Sequence, residues 1–521
     1  MGTVRLRRVV AVVTAGVLAG SLAACAQGGG GGTGSGQDVT IRVATGQPIS
    51  SLDPAGGYDV GSRTVLVNVY QTLLTIIPGK STPVPDAADC QFDTPTAYTC
   101  TLRTSQTFHN GHLLRASDVR FSFDRMRKIR DPRRPANLFS TLGSIEVPDE
   151  FTVTFLLKRP DATFPYLLTT SAAAIVDEEI FPAGKLLADA EAVGSGPYRL
   201  TEYRPGQQIT LDKFTGYKGV RSAQNSRVVI GYHDDSAGVT QSLKTGAADV
   251  GFLGLDPADV KQLRSDQALQ VVDGDSAEIR YWAFHYFGQP VAKRLAVRRA
   301  VAQLLDRDAI ARRVYDGRVT PLYSLIPVGF DGHIDAFKTV YKAPDRARAA
   351  DLLRTAGTAT PVSLTVGWTP AQFGPAAGAE AAEMKRQLES SGLFRITLVK
   401  ADWPAYQRAA KAGAYDLYHY GWIPDLPDGD NFVSPFLRDG GYLHSGYKAV
   451  PANRLLDLEI SSQSQADRNT AFRDLQALVA NDVPMVPSWQ GRMVVVTDRS
   501  IDGVAGTLNP QFCLYLSYLT R

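Results

Sequence analysis

The sequence lacks the marks of several large classes of protein. It contains 4 cysteines among 521 residues, and beyond the N-terminal leader no stretch approaches the ~20 consecutive apolar residues of a membrane-spanning helix. It also has no G-x-S-x-G serine elbow, no H-E-x-x-H zinc motif and no P-loop. These absences disfavour an integral membrane protein, the common hydrolases and the P-loop nucleotide-binding enzymes.

An excess of charge of either sign is also missing from the body of the chain. The whole sequence has 55 Lys and Arg against 52 Asp and Glu. Three of the arginines and no acidic residue lie in the first 25 residues, so the remainder carries 52 basic and 52 acidic residues. A net charge near zero gives no support for binding to nucleic acid or for a polybasic contact with a membrane.

The first residues have the layout of a secretory signal peptide. A basic start is followed by an apolar stretch of about ten residues and then by small residues. Leu22-Ala23-Ala24-Cys25 resembles a bacterial lipobox, which implies removal of residues 1–24 and attachment of diacylglycerol to Cys25; ordinary secretion without this modification is the alternative. Residues 25–37 are rich in glycine and predict a flexible tether. We expect a protein that is lipid-anchored to the cell membrane on its extracytoplasmic face.

The remaining cysteines suit an exported protein. Cys90 and Cys100 flank a proline-containing turn between two extended segments, and a disulfide across this hairpin would contribute about 2–4 kcal/mol. Two free thiols are the alternative at these positions. Cys513 is predicted to be a small, buried hydrophobic residue.

Helical and strand patterns alternate through the mature chain, which indicates an α/β architecture of two or three domains. The clearest pattern is a βαβαβ run from Val362 to Trp422, in which the two helices close at Gly392 and Gly413. This run predicts a mostly parallel sheet with right-handed crossovers. Ligands of such sheets lie beyond the carboxyl ends of the strands, so Asp425, just after the third strand, is expected at a ligand-facing edge.

The stretch His109-Asn110-Gly111-His112 raises the question of a metal site. No cysteine or carboxylate constellation accompanies the two histidines, and Asn-Gly favours a hairpin turn, so we predict a turn and no metal. The helix that follows is predicted to share one buried face among Val119, Phe123 and Met126.

Several stretches of the sequence, taken in order, resemble one family. They are "SLDPAGGYD", "YTCTLRTSQTFHNGHLLRASDVRFSFDRM", "GSGPYRL", "LAVRRAVAQLLDRDAIARRVYDG", "GWIPDLPDGDNF" and "NDVPMVPSW". Together they span essentially the whole mature chain. The ordered set is similar to the large extracytoplasmic solute-binding proteins of peptide-type ABC importers.

The resemblance implies a two-lobed α/β fold like that of the periplasmic binding proteins (type II, cluster C), with an extra inserted domain. Lobe I would be discontinuous and would combine residues 38–77, 195–278 and 489–521. The inserted domain would be residues 78–194, and lobe II would be residues 279–488. The chain would cross between the lobes twice, which implies a hinge near residues 278 and 488.

The same resemblance implies an extended peptide as the ligand, enclosed between the lobes and paired with main chain as an added strand is. The partners would be the permease and ATPase subunits of an ABC importer, and the protein would be a monomer with no cofactor and no enzymatic activity. Other branches of the family carry oligosaccharides, nickel chelates or haem, so a non-peptide solute is an alternative. Paired acids such as Asp234-Asp235 leave a glycan or peptide hydrolase as an alternative of another class.

Peptide-binding members of the family use an aspartate three residues after a tryptophan to receive the α-ammonium of the ligand. Trp422-Ile423-Pro424-Asp425 matches this W-x-x-D arrangement, and Tyr420 and Gly421 lead into it. A charge-assisted hydrogen bond would offset the desolvation of both partners. Asp425 satisfying its own turn is the alternative, and Asp428 is predicted to be a turn or cap residue.

Two departures from the family bear on specificity. Dipeptide-selective relatives clamp the carboxylate of the ligand with an arginine soon after the strand that matches "VSLTVGW", whereas the matching place here presents Phe373. Without that planar fork we expect longer peptides or a non-peptide ligand. His285 stands where the family commonly has asparagine and either faces the cleft or lies in the core. Trp282 and Trp368 are candidates to line the cleft, with core packing as the alternative for each.

Overall fold

The predicted alternation of helices and strands is present in the computed structural model of the chain, which describes residues 39–131, 135–287, 290–374, 376–508 and 512–521. The leader, Cys25 and the Gly-rich tether lie outside the described residues, so the expectations for them stay predictions. None of the described helices is both long and apolar enough to cross a membrane.

The described ranges contain strands, α-helices and short 3₁₀ turns. The strands are β1 (Thr40–Thr45), β2 (Leu74–Thr75), β3 (Val84–Pro85), β4 (Ala88–Thr94), β5 (Ala97–Leu102), β6 (Leu142–Glu146), β7 (Thr152–Leu157), β8 (Tyr198–Arg204), β9 (Gln208–Lys213), β10 (Arg227–Tyr232), β11 (Val250–Phe252), β12 (Leu269–Phe284), β13 (Thr320–Pro321), β14 (Val362–Trp368), β15 (Phe394–Lys400), β16 (Leu417–Trp422) and β17 (Met485–Asp498). The α-helices are α1 (Val60–Val69), α2 (Ala116–Ile129), α3 (Phe164–Leu167), α4 (Ser236–Lys244), α5 (Pro257–Leu263), α6 (Pro290–Lys293), α7 (Leu295–Leu304), α8 (Arg307–Arg313), α9 (Ala336–Tyr341), α10 (Arg346–Thr355), α11 (Pro370–Phe373), α12 (Ala376–Ser390), α13 (Trp403–Lys411), α14 (Ser434–Leu437), α15 (Val450–Ser461), α16 (Gln465–Asp482) and α17 (Val504–Thr507). The 3₁₀ turns are Pro135–Phe139, Ser171–Ala173, Asp189–Glu191, Gly429–Phe432 and Leu516–Tyr518.

Most of the strands belong to one large mixed sheet. Its order is β15-β14-β16-β12-β17-β11-β1-β10-β9-β8, with β13 paired to β17. β14 pairs in parallel with β15 and β16, and β1 pairs in parallel with β10 and β11. The centre and one edge are antiparallel, because β12 runs against both β16 and β17 and β9 runs against both β8 and β10. The prediction of a mostly parallel sheet is therefore right for the βαβαβ run and wrong for the sheet as a whole.

The βαβαβ run is confirmed as β14, α12, β15, α13 and β16. Gly392 and Gly413 follow the two helices with φ angles of 74° and 75°, a left-handed backbone that glycine adopts without steric cost. Because β14 and β16 are parallel neighbours, Trp368 and Trp422 end adjacent strands at the same edge of the sheet. That edge is where the sequence places the ligand.

A second sheet, of order β4-β5-β7-β6, packs with helix α2. Cys90 and Cys100 face each other in the antiparallel pair β4–β5, and their sulfur atoms are 2.07 Å apart. Helix α2 buries Val119, Phe123 and Met126, as their spacing predicts. The hairpin and the helix therefore share one apolar core.

The described residues pack into separate hydrophobic cores. One core draws its residues from between Ala277 and Trp489. Another combines residues from the N-terminal half with the C-terminal tail, and a third lies against the small sheet. Cys513, in the C-terminal tail, is buried as predicted. β12 and β17 run from the first core towards the second. The predicted crossing points near residues 278 and 488 lie in these strands, and the division into lobes stays a prediction.

Candidate ligand-binding site

The candidate site is built on the loop that follows β16. Its shape is set by Asn431, whose side-chain oxygen accepts hydrogen bonds from the main-chain N–H of Asp425 at 2.8 Å and from the indole N–H of Trp422 at 3.2 Å. Both ends of the W-x-x-D stretch are thus bonded to the side-chain amide of Asn431, a residue not predicted from the sequence. Asp428 begins the following 3₁₀ turn and accepts the N–H of Asp430 at 2.9 Å, so its predicted role as a cap residue is confirmed.

Asp425 faces a side chain from a distant part of the chain. The hydroxyl of Tyr58, in the loop between β1 and α1, donates a hydrogen bond of 2.9 Å to its carboxylate. Asp425 is partly buried, and Tyr58 packs against the core of the small sheet. Burial, and after it the negative charge of Asp425, raises the pKa of Tyr58, so the phenol remains a donor at neutral pH. This bond joins the loop after β16 to the N-terminal part of the molecule.

Aromatic rings cover one side of the loop; we call Tyr420, Trp422, Phe436 and Tyr442 the aromatic wall. The ring of Trp422 lies 5.4 Å from that of Phe436 and 5.3 Å from that of Tyr442. The hydroxyl groups of Tyr420 and Tyr442 are 3.2 Å apart. Tyr442 is 49 % exposed and Tyr420 is buried. The wall therefore offers a partly accessible apolar surface that is continuous with the loop of Asp425.

The two candidates at the end of β14 have different surroundings. Phe373, in α11, is partly buried; its ring lies 5.6 Å from that of Tyr420 and 5.0 Å from the guanidinium of Arg280. Trp368 packs on α12 at Gly378, where a Cβ atom would come within 2.8 Å of the indole ring. The structure thus brings Phe373 together with the end of β16, whereas Trp368 is engaged with the neighbouring helix.

Trp282 and His285 are placed in the core. Trp282 is 0 % exposed, and its ring lies 4.7 Å from that of His419, its register partner in β16. His285 is 1 % exposed, its Nδ1 accepts the N–H of Phe287 at 3.2 Å, and burial lowers its pKa. Of the two alternatives given for each residue, the structure therefore favours core packing over a place in the cleft. β12 is covered on both faces, since Tyr281, which points to the opposite face from Trp282, is also fully buried.

Arg280, which β12 brings to the site, was not predicted as a site residue from the sequence. Its guanidinium lies between the rings of Phe373 and Trp489, 5.0 and 5.1 Å from their centres, and forms an ion pair with Glu278. Gly421, the register partner of Arg280, makes room for it, because a Cβ atom there would stand 2.3 Å from Nη1. The sequence feature that could have indicated this residue is a charged side chain at the start of the largely aromatic run "RYWAFHYF".

A buried carboxylate holds Trp489 in place. Glu380, on α12, is fully buried and accepts hydrogen bonds from the hydroxyl of Tyr315 at 2.6 Å, the hydroxyl of Ser488 at 2.7 Å and the indole of Trp489 at 2.8 Å. Burial alone would raise the pKa of Glu380, but the imidazole of His419 and the hydroxyl donors outweigh it and lower the pKa to about 2. The carboxylate therefore stays ionised and fixes the ring that covers Arg280.

The stretch His109-Asn110-Gly111-His112 forms a turn beside the small sheet. The predicted Asn-Gly turn is confirmed, with the N–H of Gly111 donating to the carbonyl of Phe108 at 2.9 Å. His112 is bonded to the carboxylate of Asp177 at 2.8 Å. Across the described ranges, no group of three or more His, Cys, Asp or Glu side chains is arranged to hold a metal ion.

The site thus combines three kinds of surface at the carboxyl ends of β14 and β16. Asp425 contributes a partly buried negative charge, Arg280 a positive charge between two rings, and the aromatic wall an apolar face. Such a set can bind a molecule that has a cationic group and apolar side chains, because each part of the molecule meets a complementary surface.

The chain is similar to known proteins over most of its length. The model described as "Bacterial extracellular solute-binding proteins, family 5 Middle" matches residues 82–443. Di/tripeptide-binding protein 2 of Pseudomonas aeruginosa (strain UCBPP-PA14) is 26 % identical over 509 residues, which cover 90 % of this chain and 92 % of that protein.

Two solved structures share the fold at low sequence identity. HbpA2 of Haemophilus parasuis matches with a TM-score of 0.84 at 20 % identity and covers 92 % of this chain and 99 % of its own. The dipeptide-binding protein of Pseudoalteromonas sp. SM9913, in complex with Met-Leu, matches with a TM-score of 0.70 at 20 % identity, covering 93 % and 100 % of the two chains. Since the family model matches well over half of the sequence, the chain belongs to the bacterial extracellular solute-binding proteins of family 5.

Proposed function

We propose that this protein is the substrate-binding component of an ABC importer and that it captures peptides between two closing lobes. The observation that carries the proposal is the partly buried carboxylate of Asp425 at the carboxyl end of β16, hydrogen-bonded to Tyr58 from a distant part of the chain. A relative that matches nine-tenths of the chain is named a di/tripeptide-binding protein. A protein of the same fold binds Met-Leu.

In this proposal the α-ammonium of the peptide donates hydrogen bonds to Asp425. Partial burial strengthens the attraction, because fewer water dipoles screen the two charges. A carboxylate accepts up to about four hydrogen bonds, so one carboxylate can accept bonds from Tyr58 and from an ammonium together. The aromatic wall then packs against the first side chains of the peptide.

The proposed closing of the lobes depends on Tyr58 and Asp425, which belong to different lobes. We propose lobe I as residues 38–77, 195–278 and 489–521, the inserted domain as residues 78–194, and lobe II as residues 279–488. Tyr58 then belongs to lobe I and Asp425 to lobe II, so a ligand that touches both draws the lobes together. The pairing of β12 with β17 is irregular between Asp275 and Ile279, where a few residues can absorb the rotation.

The cellular setting belongs to the same proposal. The lipobox and the Gly-rich tether support a protein held at the outer face of the cell membrane through Cys25, as a monomer that delivers its ligand to a permease and its ATPase. The chain itself carries out no chemistry on the peptide. Mass spectrometry of the mature N terminus tests the anchor, because a diacylglyceryl group on Cys25 adds a defined mass.

Native mass spectrometry of the gently purified, full-length protein tests the function. The molecules that co-purify are identified, and the protein is then incubated with defined peptide mixtures. We expect peptides with free amines, recovered at their original length. Recovery of peptide fragments would indicate a hydrolase, and an oligosaccharide, metal chelate or haem in place of a peptide would contradict the proposal.

A further inference from the structure

Arg280 is a buried charge whose hydrogen bonds are incompletely satisfied. The residue is 8 % exposed, yet Nε is buried and has no hydrogen-bond partner within the described residues. Nη2 is paired with Glu278, and Nη1 lies 3.3 Å from the carbonyl oxygen of Ile279. A guanidinium carries five N–H donors in a planar fork, so this group retains donor capacity that the chain does not use.

The surroundings hold the guanidinium in one plane. Its central carbon lies 5.0 Å from the ring centre of Phe373 and 5.1 Å from that of Trp489, and Trp489 is itself fixed by the carboxylate of Glu380. The backbone of Gly421 borders another edge of the group, since a Cβ atom there would stand 2.3 Å from Nη1. A planar fork with unused N–H donors recognises a carboxylate better than a compact anion, because two parallel N–H groups match two carboxylate oxygens.

Arg280 and Asp425 lie a short distance apart along the loop. Gly421, which touches the guanidinium, precedes Asp425 by four residues, and four extended residues span at most about 14 Å. A peptide of a few residues therefore reaches from the carboxylate of Asp425 to Arg280.

We propose that Arg280 binds a carboxylate of the ligand and, with Asp425, selects short peptides by the charges they carry. Glu278 forms an ion pair with Arg280 and is partly exposed. A ligand carboxylate therefore binds the guanidinium beside Glu278 or displaces the Glu278 carboxylate from it. This inference rests on the proposed function. It also replaces the expectation, drawn from Phe373, that the site lacks a partner for the carboxylate of a short peptide.

Isothermal titration calorimetry with three sets of ligands tests the inference. The ligands are di- and tripeptides with a free carboxyl terminus, the same peptides as C-terminal amides, and amides that carry an internal aspartate. The proteins are the wild type, Arg280→Met, which keeps the apolar stem between the rings, and the control Arg264→Met. Arg264, at the end of α5, forms an exposed ion pair with Asp273, which lies in β12 as Arg280 does. The control therefore removes an arginine and its ion pair without touching the site.

We expect the wild type and Arg264→Met to bind the free acids at least about tenfold more tightly than the amides. Arg280→Met should lose this preference while it still binds the amides. Tight binding of the aspartate-containing amides, lost in Arg280→Met, would assign the carboxylate to a side chain and would also support the proposal.

The failures of the two proposals are distinguishable. A wild type that binds no peptide at all contradicts the proposed function. A wild type that binds free acids, amides and aspartate-containing amides equally overturns the role of Arg280 whether or not the variant folds. The proposal is overturned as well if Arg280→Met keeps both wild-type affinity ratios, that of free acids to amides and that of aspartate-containing amides to plain amides.

Discussion

Replacing Asp425 by asparagine isolates the charge on which the proposed function depends. Asparagine has the same shape and keeps a side-chain oxygen to accept the bond from Tyr58, so the loop tied to Asn431 should be preserved. Truncating one member of a buried, hydrogen-bonded charge pair costs about 2–5 kcal/mol. Asp425 is only partly buried, so we expect the lower part of that range, about 2–3 kcal/mol, or roughly 30- to 150-fold in Kd.

The assay compares a free-amine tripeptide with its N-acetylated form by calorimetry. The loss in Asp425→Asn should fall on the free amine and spare the acetylated peptide, because only the former brings a positive charge. Asp439→Asn is the matched control, since Asp439 is exposed and bonds Asn453 at 3.1 Å. Equal losses for both peptides in Asp425→Asn would refute the assignment of the ammonium to this carboxylate.

Three other substitutions test peptide binding by Tyr58 and the contributions of Glu380 and the disulfide to stability. Tyr58→Phe removes the donor that reaches Asp425 and should weaken peptide binding by about 1–2 kcal/mol in calorimetry, with unchanged affinity as the contradicting result. The pKa of Glu380 is lowered to about 2, so its contribution to stability is present above the unfolded pKa and is lost as the pH falls from about 4.5 to 2. Glu380→Gln should therefore lower the free energy of unfolding by about 3 kcal/mol at pH 7 and reduce its decline over that acidic range, as measured by urea unfolding. Cys90→Ser combined with Cys100→Ser opens a loop of sequence separation 10 and should cost about 3 kcal/mol of stability while leaving peptide affinity intact.

The parts of the fold that could be predicted from the sequence are those determined by residues close to one another in the chain. The glycines after α12 and α13 mark the helix ends because their φ angles are positive. The spacing of the apolar residues in α2 predicts which face of that helix is buried. The position of Asp425 followed from the same logic, since the carboxyl end of β16 is defined by the strand pattern before it.

The mixed sheet could not be predicted because its centre depends on partners far apart in the chain. Ile279 in β12 pairs with Gln490 in β17, and nothing within either strand states the identity or direction of its neighbour. The same strand explains why the sequence left Trp282 open between the cleft and the core. A strand covered on both faces loses the polar–apolar alternation that would separate a cleft-facing residue from a core residue.

Asp425 and Asp428 show how a long-range partner decides the role of a residue. The two aspartates are three residues apart in one proline-containing loop, and local sequence does not separate them. Both oxygens of Asp428 accept hydrogen bonds from Arg468, at 2.6 and 2.8 Å, and both side chains are 2 % exposed. A carboxylate enclosed with an arginine in this way is committed to the fold, because releasing it would leave an uncompensated buried charge. Arg468 lies 40 residues along the chain, on α16, so a partner that the loop sequence does not reveal commits Asp428 to the fold, whereas Asp425 is the acid that we propose for the ligand.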